Sequence, residues 1–284
     1  MIRTITRAVA VAFLIVVASS QPVHAGAKVY VGSQVAAGRQ VSMDRIDHSA
    51  WDAILRKYVD TDGMVAYRAL HGSSADVRAL DGYLQTLSTA SPRIRTSRDG
   101  QLAFWINAYN ALTVRGILRE YPTTSIRNHT AKVWGYNIWK DLQLHVDGKP
   151  YSLEQIEHEI LRKTGDPRIH FGIVCASIGC PRLLNEAYVA GRVQKQLEAN
   201  SRDFFSRSQN FRYDQRNGRF YLSSILSWFG EDFGSNQAAQ LRKIAAWLPN
   251  EAARQAANQN AVSVSFLDYD WSLSQQASPR TARR

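Results

Sequence analysis

The chain of 284 residues has only two cysteines, Cys175 and Cys180. A scaffold of several disulfides is therefore excluded, although a nearby pair in an oxidising compartment is a disulfide candidate. Acidic residues are fewer than basic ones, 24 against 35, and the formal net charge is +11. After the N-terminal region no uncharged stretch approaches the roughly 20 residues that span a bilayer, so we expect no transmembrane segment.

The first 25 residues are typical of a secretion signal. Arg3 and Arg7 provide the positive region, residues 8–17 form an apolar core, and Val23-His24-Ala25 places small residues at a cleavage site. A core of about ten residues is too short to anchor the chain in a membrane. No cysteine follows it for lipid attachment. We therefore expect cleavage near Ala25 and a periplasmic or secreted protein.

An exported protein with a basic charge has a restricted choice of partners. Nucleic acid is not expected, because an exported chain rarely meets it, and an anionic envelope component is favoured instead. Part of the charge lies between Pro279 and Arg284. We expect residues 274–284 to be a basic disordered tail. No motif indicates a cofactor, and the sequence does not determine the partner or the oligomeric state.

The apolar pattern predicts one helix-rich domain over residues 44–273, preceded by a leader at 26–43. A helix is predicted over about residues 99–119, and its stretch from Leu102 to Leu112 is apolar on nearly all sides, as expected at the centre of a domain. Hairpins are predicted around Asp147-Gly148 and Asn217-Gly218. We therefore expect an α+β fold with a small, mostly antiparallel sheet.

Two further segments bear on function. Ser152 and Gln155 form a capping box that opens a helix over residues 153–163. Residues 168–175 carry alternating apolar side chains and predict a strand that ends at Cys175. No repeat and no linker divides the domain.

Asn107 and Asn110 lie three residues apart on the central helix and share a face. A buried amide needs hydrogen-bond partners, because leaving it unpaired costs about 1–3 kcal/mol. These side chains either tie neighbouring loops to the helix or orient a catalytic group.

Glu157 and His158 lie on the helix, and His170 lies on the predicted strand. A short turn joins the two elements, so they should run side by side in opposite directions. Glu157 and His158 then lie about 8 Å along the helix, and His170 lies about 7 Å along the strand. We expect a contact of Glu157 or His158 with His170. The alternative is that all three are ordinary core or surface residues.

Cys175 begins a glycine-containing turn, where a thiol is accessible to solvent and to backbone N–H donors. The same place suits a disulfide to Cys180. His170 is a poor direct base for Cys175, because five strand residues separate the two by about 16 Å and put them on opposite faces. A dyad of His170 and Cys175 would need the strand to end early; otherwise the base would come from His48, His71, His129, His145 or His158. Metal binding by the nearby histidines and cysteines matches no recognised ligand spacing, so no metal is expected.

Four blocks of sequence resemble the domain-of-unknown-function family 547. They are Ala103-Phe-Trp-Ile-Asn-Ala-Tyr-Asn-Ala-Leu112, Ser152-Leu-Glu-Gln-Ile-Glu-His158, Arg168-Ile-His-Phe-Gly-Ile-Val-Cys-Ala-Ser-Ile-Gly-Cys-Pro-Arg-Leu183 and Tyr269-Asp-Trp-Ser-Leu273. The resemblance spans about residues 50–273 and implies a bacterial, exported member. The family has no established reaction. Its plant members carry a leucine-zipper segment that this chain lacks.

The resemblance also bears on the two cysteines. In the plant form of the motif the positions of His170 and Cys175 are kept, whereas that of Cys180 can be replaced. This implies that Cys175 serves as a nucleophile rather than as a partner in a structural disulfide. The present chain has both cysteines, so both a free Cys175 thiol and a Cys175–Cys180 disulfide remain open for it.

Two functions follow. The first is a cysteine-dependent hydrolase or acyltransferase acting on cell-envelope or extracellular material. Cys175 would be its nucleophile with a depressed pKa, a histidine its base, and Asn107, Asn110 or Glu157 the orienting group. The second is a non-catalytic periplasmic binding or scaffold domain with a Cys175–Cys180 disulfide. A redox protein is less favoured, because four residues separate the cysteines instead of the two of a redox motif.

Overall fold

The computed structural model describes residues 27–36, 38–131 and 135–277. The expected signal peptide and residues 278–284 of the expected tail lie outside these ranges. No helix in the described part of the chain is long and apolar enough to cross a membrane.

The described residues form eleven α-helical segments, several of them single turns. They are α1 (Ser49–Tyr58), α2 (Tyr67–Gly72), α3 (Ser74–Leu87), α4 (Arg98–Glu120), α5 (Ile138–Asp141), α6 (Leu153–Gln155), α7 (Val193–Ser206), α8 (Ile225–Trp228), α9 (Gly230–Phe233), α10 (Gln237–Ile244) and α11 (Glu251–Asn258). The capping box at Ser152 and Gln155 is present and opens α6. After it the chain continues as a π-helix at Ile156–Leu161 and a 3₁₀ turn at Arg162–Thr164.

The strands form two sheets of three. The first contains β1 (Val29–Val31), β2 (Leu142–Val146) and β3 (Lys149–Ser152), and the second contains β4 (Phe211–Asp214), β5 (Arg219–Ser223) and β6 (Ser263–Leu267). Each sheet has one antiparallel pair, β2–β3 or β4–β5, made by a predicted hairpin. Each also has one parallel pair, β1–β2 or β5–β6. The α+β class is confirmed, and the leader contributes a strand of its own.

Helix α4 lies at the centre of the larger core, as predicted. Ser97 caps it by accepting a hydrogen bond from the Gly100 N–H at 3.0 Å. Its residues from Leu102 to Val114 are all buried. Gly116 allows the first sheet to approach closely, because a Cβ there would lie 2.7 Å from Leu142 Cδ2. A helix that is buried on all sides, with a glycine at its closest contact, explains why the rest of the domain packs around it.

A second core of aromatic residues lies between α7 to α11 and the second sheet. Phe171, Phe204, Phe205, Phe220 and Trp247 are among its members. The segment that leads to the cysteines runs between the two cores, with Ile169 and Ile173 in the first and Phe171 in the second.

The predicted strand at 168–175 is wrong. Residues Pro167–Phe171 form a 3₁₀ helix, capped by the Asp166 side chain, which accepts a hydrogen bond from the Arg168 N–H at 3.0 Å. Proline at the first helical turn after an aspartate is a helix-start signal. The alternating apolar residues face the two cores and not the two sides of a sheet. A 3₁₀ helix rises only about 2.0 Å per residue, so the 16 Å separation between His170 and Cys175 no longer applies.

Candidate functional site

A cleft of about 270 Å³ opens where the two cores meet. Its walls bring together most of the residues that the sequence pointed to. It is lined by Tyr109, Asn137, Trp139, Lys140, Glu154, Glu157, His158, His170, Ile173, Cys175, Cys180, Pro181, Ile225, Trp228, Phe229, Tyr269 and Trp271. A mostly apolar, concave site with a few convergent polar groups is the usual form of a small-molecule site.

The buried amide of Asn110 holds the segment that enters the cysteine loop. Its Nδ2 donates to the Gly172 carbonyl, and its Oδ1 accepts from the Val174 N–H, both at 2.9 Å. Asn107 makes the same pair of bonds to the backbone of Tyr188, at 2.7 and 3.0 Å. Neither asparagine is among the residues that line the cleft. The structure therefore places both as loop ties, and Asn110 as a positioning residue for the cysteines.

Replacement of Asn110 by alanine should lower the free energy of unfolding by about 1–3 kcal/mol, because it leaves buried backbone groups of Gly172 and Val174 unpaired. Chemical denaturation measures this loss. Asn107→Ala is the matched control, with a similar expected loss. Only Asn110→Ala should also slow alkylation of the cysteines by iodoacetamide. Equal slowing in both variants would contradict the positioning role.

The loop from Cys175 to Cys180 is fastened to the closing segment of the domain. The N–H groups of Ile178 and Gly179 donate to the carbonyls of Ser272 and Asp270, at 2.9 and 2.8 Å. A Cβ on Gly179 would lie 2.9 Å from the ring of Tyr269, so this position needs glycine for the ring to pack. The contact brings the Tyr269 hydroxyl to the sulfur atoms.

The two cysteines are free thiols, with Cys175 partly exposed and Cys180 buried at the wall. The Cys175 N–H donates to Cys180 Sγ at 2.9 Å. The Tyr269 hydroxyl lies 3.1 Å from each sulfur. The Ser177 hydroxyl lies 3.0 Å from Cys175 Sγ and 3.6 Å from Cys180 Sγ. A backbone N–H can only donate, so the sulfur of Cys180 is the acceptor of this cluster.

These contacts separate the acidities of the two thiols. Burial alone would raise the pKa of Cys180, but the hydrogen bonds from Cys175, Tyr269 and Ser177 outweigh burial and lower the pKa to about 6. The hydrogen bond to Cys180, burial and the negative charge on Cys180 raise the pKa of Cys175 well above its ordinary value. Of the two thiols, Cys180 is therefore the more acidic. The sequence had led us to expect a depressed pKa at Cys175.

His170 is held by a carboxylate that sequence reasoning missed. Its Nε2 lies 2.7 Å from Asp232 Oδ2, and the ring stacks on Phe229 with centroids 4.3 Å apart. Burial opposes ionisation of Asp232, yet hydrogen bonds from Arg162 and His170 keep its pKa below the ordinary value. Burial lowers the pKa of His170, against the raising effect of Asp232.

The protonation of this pair follows from these pKa directions. An ionised carboxylate can only accept, so Nε2 of His170 carries the proton. A neutral ring then has its lone pair on Nδ1. This is the arrangement of a histidine base oriented by an aspartate.

Glu157 lies on the π-helical turn and also lines the cleft. Its Oε2 accepts a hydrogen bond from the Tyr109 hydroxyl at 3.0 Å. Burial raises the pKa of Glu157, although His158 and Tyr109 act in the opposite direction. Neither Glu157 nor His158 forms a hydrogen bond with His170 in the described part of the chain. Arg162 instead links His158 to Asp232, the partner of His170: it lies 3.3 Å from His158 Nδ1 and donates to Asp232 Oδ2 at 2.7 Å.

The other candidate bases lie elsewhere. His48 is 2.7 Å from the Tyr83 hydroxyl, and burial lowers its pKa to about 4. His71 packs against Tyr121, and His145 packs against Tyr30. His129 is 2.9 Å from the Thr123 hydroxyl. Within the ranges that the structure describes, none of the four lines the cleft, and no group of three metal-ligating side chains is found.

Sequence reasoning missed Asp232, Arg162 and Tyr269 as members of the site. Asp232 is 62 residues from His170 in the chain, and Tyr269 is 94 residues from Cys175. No local spacing connects residues so far apart. The signal that was present for Tyr269 was its place in the closing block Tyr269-Asp-Trp-Ser-Leu273, which had been used for the resemblance but not for the site.

Comparison with known proteins supports the resemblance. The comparisons with curated proteins and with solved structures found no match. Residues 94–205 match the family model described as "Protein of unknown function, DUF547". The matched range is narrower than that of the resembling blocks. It contains α4, His170 and both cysteines but ends before Asp232 and Tyr269. Residues 94–205 are therefore similar to the DUF547 family, in agreement with the resemblance that the sequence motifs had indicated.

Proposed function

We propose that the chain is a cysteine-dependent acyl-transfer enzyme, a hydrolase or acyltransferase, with the thiolate of Cys180 as its nucleophile. One observation carries the proposal. The sulfur that accepts a backbone N–H and a tyrosine hydroxyl lies in the same cleft as an aspartate-oriented histidine. A thiolate beside a histidine base is the recurring basis of thiol acyl transfer.

The reaction would proceed in two steps. In the first, the thiolate of Cys180 attacks the carbonyl carbon of the substrate. A carbon–sulfur bond forms, and the leaving group departs with the electron pair of the broken bond. In the second, Nδ1 of His170 removes a proton from water or another nucleophile, which attacks the thioester carbon; the carbon–sulfur bond breaks and its electron pair returns to Cys180 as the thiolate. The imidazolium then gives its proton to the departed leaving group or to water, and the neutral ring is restored. Asp232 stabilises the imidazolium that forms in between.

Cys175 takes a supporting role in this proposal. Its backbone N–H stabilises the thiolate, and its own raised pKa keeps the side chain neutral. This differs from the expectation that Cys175 is the nucleophile, and the two assignments have different consequences for variants.

An activated ester tests the proposal without knowledge of the natural substrate. p-Nitrophenyl acetate should give a burst of one equivalent of p-nitrophenolate, followed by slower turnover. Intact mass in the burst phase should show one acetyl group on the chain, and peptide mapping should place it on Cys180. Absence of a burst and of any acetylated cysteine would contradict acyl transfer.

A binding domain without catalysis is the competing function, and the aromatic wall of the cleft favours it. Trp139, Trp228, Tyr269 and Trp271 pack against one another along this wall. Such a surface can hold a ligand without reacting with it. In that case the ester gives no burst, and occupation of the cleft changes tryptophan fluorescence with both cysteines unmodified.

We further propose that the chain acts outside the cytoplasm on cell-envelope or extracellular material. The signal-like residues 1–25 and the net charge of +11, which suits an anionic envelope component, support this location. Expression of the full chain in a bacterium tests it. The recovered protein should begin at Gly26 and fractionate with the periplasm or medium. A cytoplasmic protein that keeps Met1 or Ile2 at its start would contradict export.

A further inference from the structure

The wall of the cleft beside the thiols is a surface of aromatic faces. Tyr269 packs against both Trp228 and Trp271, with ring centroids 4.8 and 4.5 Å away, and the two tryptophans stack on each other at 5.7 Å. Trp139 meets Trp271 edge to face at 6.3 Å. Trp228 is 48% exposed, an unusual exposure for so large an apolar side chain. Aromatic faces carry negative potential and attract cations, most strongly where water is displaced.

The lining of the cleft also includes the carboxyl group of Glu157. Glu157 accepts the hydrogen bond of Tyr109, and no salt bridge to it is found within residues 27–36, 38–131 and 135–277. Asp232 provides a comparison in the same neighbourhood. It lies 2.7 Å from Arg162 and has a lowered pKa, whereas burial raises the pKa of Glu157. Arg162 and His158 favour the ionised form of Glu157 electrostatically, but within the described residues no cation forms an ion pair with its carboxyl group.

The charges around the cleft discriminate among ligands. Lys140 at the rim lies 3.7 Å from Glu154, and Arg162 is paired with Asp232 and Glu231. The interior is left with the thiolate of Cys180 and the carboxyl of Glu157. An anion there would be repelled by the thiolate. A neutral aliphatic ligand would remove water from the Glu157 carboxyl and offer it no interaction beyond the hydrogen bond from Tyr109.

We infer that this cleft takes a substrate with an ammonium group, seated between the aromatic wall and Glu157. As a substrate and not merely a ligand, such a compound presupposes the proposed acyl transfer at Cys180. Its reactive carbonyl would then lie toward the thiolate and its cationic end toward Glu157. The inferred substrates are therefore small amines or quaternary ammonium compounds.

Choline and its uncharged isostere 3,3-dimethylbutan-1-ol test the inference in the full folded protein. Both are titrated while the fluorescence of the cleft tryptophans is recorded. Choline should bind at least about tenfold more tightly than the isostere, because both the wall and Glu157 favour the charge. Glu157→Gln should remove most of this preference. Glu159→Gln should keep it, because it removes the same charge from an exposed position of the same helical turn.

Equal affinity for the two compounds, or no binding of either, would overturn the inference without any variant. So would a preference that persists in Glu157→Gln. The proposed acyl transfer is tested separately, by the burst with p-nitrophenyl acetate. An ester burst without a preference for choline leaves acyl transfer standing and overturns the ammonium site. A preference for choline without a burst supports the site as a binding site and contradicts the enzyme.

Discussion

Cys180→Ser should reduce the burst of p-nitrophenolate by about 10³-fold or more, the scale of loss when a nucleophile is removed. A serine hydroxyl is a weak nucleophile at its ordinary pKa, and the hydrogen bonds that stabilise a thiolate do not ionise it. Cys175→Ser should retain the burst within about tenfold of the wild-type value. It keeps the backbone N–H that donates to Cys180 and replaces the neutral thiol by a hydroxyl.

The pair of variants also distinguishes the two assignments of the nucleophile. Stopped-flow absorbance of p-nitrophenolate measures the burst, and thermal unfolding shows whether both variants are folded. If Cys175→Ser loses the burst and Cys180→Ser keeps it, the nucleophile is Cys175, as the family resemblance implied. The hydrogen-bonding argument for Cys180 would then be wrong.

Asp232→Asn should slow deacylation of the acetylated enzyme by about 10²–10⁴-fold, the usual contribution of an oriented general base. An amide can donate to Nε2 of His170, which leaves the proton on Nδ1, where it blocks the base. An amide also carries no charge to stabilise the imidazolium. The rate of turnover after the burst measures deacylation.

Glu231→Gln is the matched control for this substitution. Glu231 also pairs with Arg162, but it is 77% exposed and does not contact His170. Its removal should leave deacylation within a few fold of the wild-type rate, because exposed ion pairs contribute little. Equal rates in Asp232→Asn and the wild type would show that His170 is not the base for this step.

The sequence predicted the scaffold of the site better than the site itself. The all-apolar stretch of α4, the capping box at Ser152 and the turn signals of both hairpins are local patterns. Each has a local physical cause, so each could be recognised without knowledge of the rest of the chain. The asparagines of α4 could likewise be predicted to need partners, although not which partners.

The segment from Arg168 to Cys175 shows where local reasoning fails. Its alternating apolar residues have the period of a strand, but the Asp166-Pro167 start signal and the position between two cores make it helical. The wrong element led to the wrong distance between His170 and Cys175. The structure brings both to one cleft and adds Asp232 and Tyr269 from distant parts of the chain.

The choice between the two sulfurs could not be made from sequence. It depends on the direction of one backbone N–H and on the position of one tyrosine hydroxyl. Both are consequences of how the loop from Cys175 to Cys180 packs against the closing segment. No spacing between cysteines carries that information.

The pH dependence of cysteine alkylation tests the central claim most directly. The wild-type protein is treated with iodoacetamide across the pH range, and peptide mapping follows each cysteine. Since only the thiolate reacts, the rate at Cys180 should rise through a half-point at pH of about 6 and level off above it. Cys175 should react later and at higher pH. First modification at Cys175, or a half-point near the ordinary thiol value of about 8.5, would contradict the assignment of the thiolate to Cys180.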